Sequence, residues 1–389
     1  MTRLKVLEII KGLDTGGAEV LLVERLGLSD RNRFDYKVAY LSTERRKLVP
    51  SLASIGIEAF CLSASGTSRW KWLQVLRAHL VAEKVDIVHV HSPLMAVGVR
   101  LVVRSLGRRR PALISTEHSV SYHPLTTTLD ALTVWADDFV IAVSAAVAHG
   151  RVCRRAGRIE VLHHGVNVQA MRELRTHRIK HVLDLELPAA PIAVSVANFR
   201  PEKGHATLLE ASRLVHSQMP EAHFFLAGHG PLETSVRDEV SRRAMESYVH
   251  VLGQVPNAAR LSACADVFVL ASTREGRPVA LMEALSCGVP AVVTSVGGMP
   301  DLIQDGHNGF LVDPEDSVGL AQRISEVLLD RGLRARLSRT ALLDSEHYDL
   351  KSASRRIEGL YLELSASMAG PTYIGQEDGW HLEDDGEEQ

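Results

Sequence analysis

Two glutamates pose the first chemical question. In Thr273–Ser295, TREGRPVALMEALSCGVPAVVTS, Glu275 stands in a Gly/Pro turn and Glu283 lies inside an apolar helical run. A carboxylate among Ala, Leu and Met is costly unless it is hydrogen-bonded or paired. A carboxylate accepts two hydrogen bonds side by side, so it suits the vicinal hydroxyls of a ribose or a hexose. The competing reading pairs Glu283 with a buried arginine or a backbone group.

Several other loops carry groups suited to phosphate. NFRPEKGH, Asn198–His205, places Arg200 and Lys203 after one apolar run and before a helical one. Arginine can grip phosphate oxygens with two parallel bonds, and lysine adds a mobile point charge. AGHGP, with Gly228, is a second strand-end glycine loop. KGLDTGGAE, with Gly16 and Gly17, allows a tight turn and a close backbone approach at a helix start. Its spacing differs from G-x-G-x-x-G, which disfavours a nicotinamide dinucleotide. The helix after TREGRP, closed by Gly288 and Pro290, would aim amides near Gly276 and Arg277 at a bound anion. The histidine pairs His89/His91 and His163/His164 show no third ligand and read as structural, and Ala136–Asp138 (ADD) reads as a helix end. No metal site and no cofactor is expected.

The elements that must position these loops alternate. LKVLEII, YKVAYL, IEAFCL, VDIVHVH, ALIST, FVIAVS and IEVLHHG are short strand-like runs separated by helical or loop sequence. A second series comes after them: PIAVSVAN, HFFLAG, YVHVLG, ADVFVLAS, PAVVTS and GFLV. Such alternation predicts parallel sheets with crossover helices, an α/β class of two doubly wound domains facing a cleft. Ligands then bind at the carboxyl ends of the strands, where these loops lie. The expected division is a first domain over 1–170, a linker over 171–190, a second domain over 191–345, a returning helix over 346–366 and an acidic disordered tail over 367–389.

Composition bounds the rest. Cys61, Cys153, Cys264 and Cys287 are scattered, which fits a reducing cytoplasm rather than a disulfide framework. No apolar run is long enough to span a membrane, and the start lacks the pattern of a signal peptide. The net charge is −3, but seven acids fall between Glu377 and Gln389. Arginine clusters at 104–110 and 151–158 read either as solvated helix ends or as contacts with an anionic membrane or a phosphate-bearing substrate. No nucleic-acid partner is expected.

Together, these motifs resemble the retaining glycosyltransferases of family 4, which have the GT-B fold of two Rossmann-like domains. EGRPVALMEALSCGVP resembles their paired-glutamate signature. GGAE, STEHS, AVSAAV, VLHHGVN, PEKG, LAGHGP, ADVFVLAS, GGMPDLI and NGFLVDPED occur in family-like order. The resemblance implies a nucleotide-sugar donor, held mostly by the second domain, and a saccharide or lipid-linked acceptor. It implies that Glu275 binds the transferred sugar, Glu283 the ribose and Lys203 the diphosphate. Amides over Gly276–Pro278 would assist, Gly16–Gly17 would approach the phosphate or acceptor, and His118 would line the sugar side. Asn198 stands where the family often has a diphosphate-binding arginine; Arg200, two residues on, is the candidate substitute, and whether the turn aims it at the diphosphate is left open by the sequence. His164 replaces the family's usual Asn and is assigned no chemistry. The alternatives are a nucleotide-sugar epimerase on the same fold and a non-catalytic donor-binding partner.

Overall fold

The computed structural model describes residues 3–14, 16–63, 70–118, 123–176, 181–182 and 185–369. The acidic tail expected from 367 onward lies outside this set from residue 370, as do parts of the expected linker.

Both series of apolar runs form parallel sheets. The first holds β1 (Leu4–Ile10), β2 (Phe34–Tyr40), β3 (Glu58–Cys61), β4 (Ile87–Val90), β5 (Ala112–Glu117), β6 (Phe139–Ala142) and β7 (Ile159–Val161), in the order 3-2-1-4-5-6-7. A short antiparallel pair, β8 (His181–Val182) and β9 (Leu185–Glu186), lies between the domains in sequence. The second sheet holds β10 (Ile192–Val196), β11 (His223–Ala227), β12 (Val249–Gly253), β13 (Val267–Leu270), β14 (Ala291–Thr294) and β15 (Gly309–Val312), in the order 12-11-10-13-14-15. The order reverses beside β1 in one sheet and beside β10 in the other, and at such a switch point diverging crossovers open a crevice. The loops after β1 and β10 are the GGAE and PEKG segments.

Six helices frame the cleft and the first domain's outer face: α1 (Gly17–Gly27), α2 (Pro93–Ser105), α3 (Pro124–Thr133), α4 (His205–Gln218), α5 (Val279–Ser286) and α6 (Leu350–Ala369). The inner strands β4, β6, β13 and β14 are buried throughout and carry mostly apolar runs, whereas β2 alternates and the edge strands β3 and β7 are partly exposed. One cluster joins the domains: Leu21 of α1 packs with Leu281 and Met282 of α5. The would-be Cβ of Gly17 lies 3.2 Å from Val279 Cγ2, so the absent side chain lets the starts of α1 and α5 approach. The last helix returns to the first domain, where Leu360, Tyr361 and Leu364 join the core beside β1 and β2. Tyr361 Oη donates to Glu8 Oε1 at 2.9 Å, and Arg356 grips Glu160 at 2.6 and 2.8 Å.

Candidate active site

Lys203 and Glu275 meet. Lys203 ends a 3-10 turn, Pro201–Lys203, and is followed by Gly204 at φ 63°. A Cβ on Gly204 would sit 1.9 Å from the Ala271 carbonyl oxygen, so glycine lets this loop press against the end of β13. The Thr273 amide donates to the Glu202 carbonyl at 2.8 Å and ties the two loops together. Lys203 Nζ then donates to Glu275 Oε1 at 2.6 Å, and Ser272 Oγ donates to the same oxygen at 2.8 Å. Lys203 keeps a partly exposed ammonium at the cleft, so an incoming anion can compete with Glu275 for it.

Glu283 has different surroundings. It is partly exposed on α5, and none of the described residues offers it a cation or a hydrogen-bond donor, so the buried-arginine pairing does not occur. Burial, and after it the charge of Glu24 on α1, push its carboxyl up to about 7. Burial also raises Glu24. The charge of Glu24, from the other domain, thus acts on a Glu283 carboxyl that meets no hydrogen-bond donor among the described residues.

The amides of Gly276 and Arg277 donate to no acceptor among the described residues. Pro278 caps α5 without a hydrogen of its own, and the glycine pair 297–298 packs beneath, the Gly298 amide donating to the Gly276 carbonyl at 2.7 Å. Free amides at a helix start form an anion-binding surface. Arg277 itself turns away and is buried, with its guanidinium over the Tyr348 ring. Its Nε and Nη1 meet no hydrogen-bond partner, and burial lowers its pKa to about 10.

Asn198 and Arg200 are both exposed. Both lie in the loop after β10, at the carboxyl end of the second sheet. Gly228 serves packing: a Cβ there would lie 1.9 Å from the Ala197 carbonyl oxygen, so glycine seats the loop after β11 against the loop after β10. Gly16 caps α1, beside the carboxylate of Glu19.

His118 comes directly after β5 in a file of imidazoles. Ring centroids run His89–His91 at 4.2 Å, His91–His118 at 5.7 Å and His118–His164 at 6.2 Å. Burial, then the neighbouring His91 and His164, hold His118 well below its ordinary pKa. His164 Nε2 donates to the Arg277 carbonyl at 2.9 Å, bridging the domains. The sequence pattern assigned His164 no role; its only signal was its place at the expected hinge. A cavity of about 50 Å³, largely apolar, opens beside His91, His118 and His164 under α1 and α6.

Glu8, His89 and His91 bring potential ligand atoms within 4.8 Å of one another. Those atoms are already engaged. Arg25 pairs with Glu8, and His91 Nε2 donates to Glu8 Oε2 at 2.7 Å. Because the Tyr361 hydroxyl donates to Glu8, His89 Nδ1 donates to Tyr361 at 2.6 Å, leaving Nε2 to accept from Thr116 at 2.7 Å. The sequence showed no third ligand beside this pair; Glu8 supplies one in space, and the network ties the three side chains to Arg25, Tyr361 and Thr116. Asp137 and Asp138 likewise serve Arg100 and Arg110.

Two family models match the chain: Glycosyltransferase Family 4 over residues 6–170 and Glycosyl transferases group 1 over residues 184–343. The chain is 25% identical over 266 residues to N-acetyl-alpha-D-glucosaminyl L-malate synthase of Bacillus anthracis, covering 67% of this chain and 69% of that protein. It is 28% identical over 288 residues to the putative glycosyltransferase EpsD of Bacillus subtilis, covering 67% and 73%. Its fold matches the crystal structure of Anabaena Alr3699/HepE in complex with UDP and glucose at a TM-score of 0.77 and 20% identity, over 92% of this chain and 99% of that one. The two matched domains, the two parallel sheets and the cleft-facing loops make this chain a member of the GT-B glycosyltransferases of family 4.

Proposed function

We propose that the chain moves a hexose-type sugar from a nucleotide-diphosphate sugar to a saccharide or lipid-linked acceptor with retained anomeric configuration, in polysaccharide or glycolipid biosynthesis. The observation that carries this reading is the juxtaposition of Lys203, Glu275 and the unengaged amides of Gly276 and Arg277 at one end of the cleft. Negative charge grows on the diphosphate as the glycosidic bond breaks. Lys203, Arg200 and those amides would stabilise that charge in a site shielded from water. The freed phosphate oxygen then takes the acceptor's proton on the same face of the sugar, so the scheme calls on no metal ion and no protein nucleophile. Glu275 would bind sugar hydroxyls once the donor diphosphate draws Lys203 away, and Glu283 the ribose diol. The acceptor would enter from the first domain, past His118. A cytoplasmic enzyme working at the inner face of the membrane suits a lipid-linked acceptor.

Shifts in unfolding temperature with UDP-, GDP- and ADP-sugars select the donor. Proton NMR of the transfer product then reads the anomeric coupling. A product of the same configuration as the donor supports the proposal. Inversion, or release of a free epimer without an acceptor, overturns it.

A further inference from the structure

The first domain leaves one apolar face uncovered. Leu94 and Leu101 on α2, Leu125, Leu129 and Leu132 on α3, and Trp135 in the turn after α3 are all exposed; Leu125 is 64% and Trp135 68% open to solvent. Positions 125, 129 and 132 share one side of α3, and 94 and 101 share one side of α2, because residues three, four and seven apart align on a helix. The two helices are neighbours, joined through Arg100 of α2, which donates to Asp137 at 2.7 and 2.8 Å and pairs with Asp130 of α3. Exposed apolar side chains grouped on two neighbouring helices in this way mark an interaction site.

The surrounding charge says which partner. Arg108, Arg109, Arg151, Arg154, Arg155 and Arg158 are exposed, and none is paired with a carboxylate among the described residues. Arg151 reaches the middle of α3, at 3.5 Å from Thr128 Oγ1. From residue 93 to 158 the acids are only Glu117, Asp130, Asp137 and Asp138. The first three are buried, and Asp138 is held by Arg110 at 2.6 Å. The face is thus leucine and tryptophan beside arginine, with no free acid. That combination suits the boundary between acyl chains and anionic headgroups. No helix among the described residues is long and apolar enough to cross a membrane. α2 and α3 both start at the cleft rim, following His91 of the β4 loop and His118 of the β5 loop with few residues between.

We propose that α2, α3 and the turn Val134–Ala136 dock the first domain on an anionic lipid bilayer, with Leu125, Leu129, Leu132 and Trp135 inserted at the acyl boundary and the arginines on the headgroups. This deepens the lipid-linked acceptor reading by naming the surface that would bring the cleft to the acceptor. It is tested apart from that reading, on vesicles containing no acceptor.

The full chain is sedimented with vesicles of phosphatidylcholine alone and of phosphatidylcholine with about one third phosphatidylglycerol. Binding is expected only to the anionic vesicles, weakened by salt, with a blue shift of tryptophan emission that Trp135→Phe removes. R151E/R154E/R155E is expected to lower partitioning by about 100-fold, at roughly fivefold per arginine. Leu129→Ser with Trp135→Ser is expected to lower it about tenfold or more. Both variants should keep the parent's unfolding temperature. Failure of the parent to bind anionic vesicles at low salt overturns the proposal, as does parent-like binding by both variants. A parent that is dimeric by light scattering, and monomeric as the Leu129→Ser variant, would assign the face to a second copy of the chain and equally overturn it.

Discussion

At the residue scale, the site turns on charges held in reserve. Glu275 is held by Lys203 and Ser272, whereas Glu283 and Glu24 meet no donor among the described residues. Lys203→Ala and Glu275→Ala should each lower transfer by about 100-fold or more, the range for removing one group that stabilises developing charge. Circular dichroism should show both variants folded, and parent-rate transfer by both would refute the assignment. The pH dependence comes from Glu283. With its carboxyl near 7, the ionised form that accepts from ribose hydroxyls rises across neutrality. Nucleoside diphosphate affinity should therefore tighten by about tenfold from pH 6 to pH 8, tracking the competent fraction. Calorimetric titration reads this, and Glu24→Gln should move the rise to lower pH by removing the opposing charge. The types and spacing of Glu275, Glu283 and Lys203 were legible in the sequence. The contact of Lys203 with Glu275 was not, because it depends on how closely two loops 72 residues apart can pack.

That packing belongs to the scale of elements. Gly204 lets the PEKG turn lie on the Ala271 carbonyl, and its φ of 63° is one that other residues adopt at a cost. Gly204→Ala should destabilise the second domain by about 2 kcal/mol or more, from strained backbone and displaced loop together. Urea denaturation measures that, and an unchanged midpoint would show the loop has room. The parallel sheets were legible because buried strands leave unbroken apolar runs such as VFVL and AVVT. The region expected as a linker proved less plain. The helix Val168–Thr176 runs into it, built on polar, basic sequence whose few apolar residues, Met171 and Leu174, pack on the second-domain core. His164 was read as structural, but its bond to the Arg277 carbonyl was not legible, because a backbone partner leaves no pattern in side-chain types.

Across the whole molecule, α6 fastens the far end of the chain to the first domain through Glu8. Burial alone would raise the Glu8 carboxyl, but Arg25, His89 and His91 together hold it well below its ordinary value of 4.5. A carboxyl lowered on folding adds stability above its unfolded pKa and loses it as pH falls through the folded value. The parent should therefore lose stability steeply below pH 4.5. Glu8→Gln should lie about 3–5 kcal/mol below the parent at neutral pH, since it strands a buried arginine. The gap should close on acidification. Denaturation curves from pH 7 to pH 3 check this, and a pH-independent gap would contradict it. The face of α2 and α3 also belongs to this scale: its arginines were visible in the sequence, but the leucine ridge beside them was not, because exposure is set by which side of each helix the fold covers.

The central claim is that one strand–turn–helix unit and the PEKG turn grip an activated sugar's diphosphate. A crystal structure of the full chain with a nucleoside diphosphate tests it most directly. The account predicts phosphate oxygens on Lys203 Nζ and on the amides of Gly276 and Arg277, the ribose on Glu283, and the Lys203–Glu275 bond opened. A nucleotide bound elsewhere, with that bond intact, would contradict it.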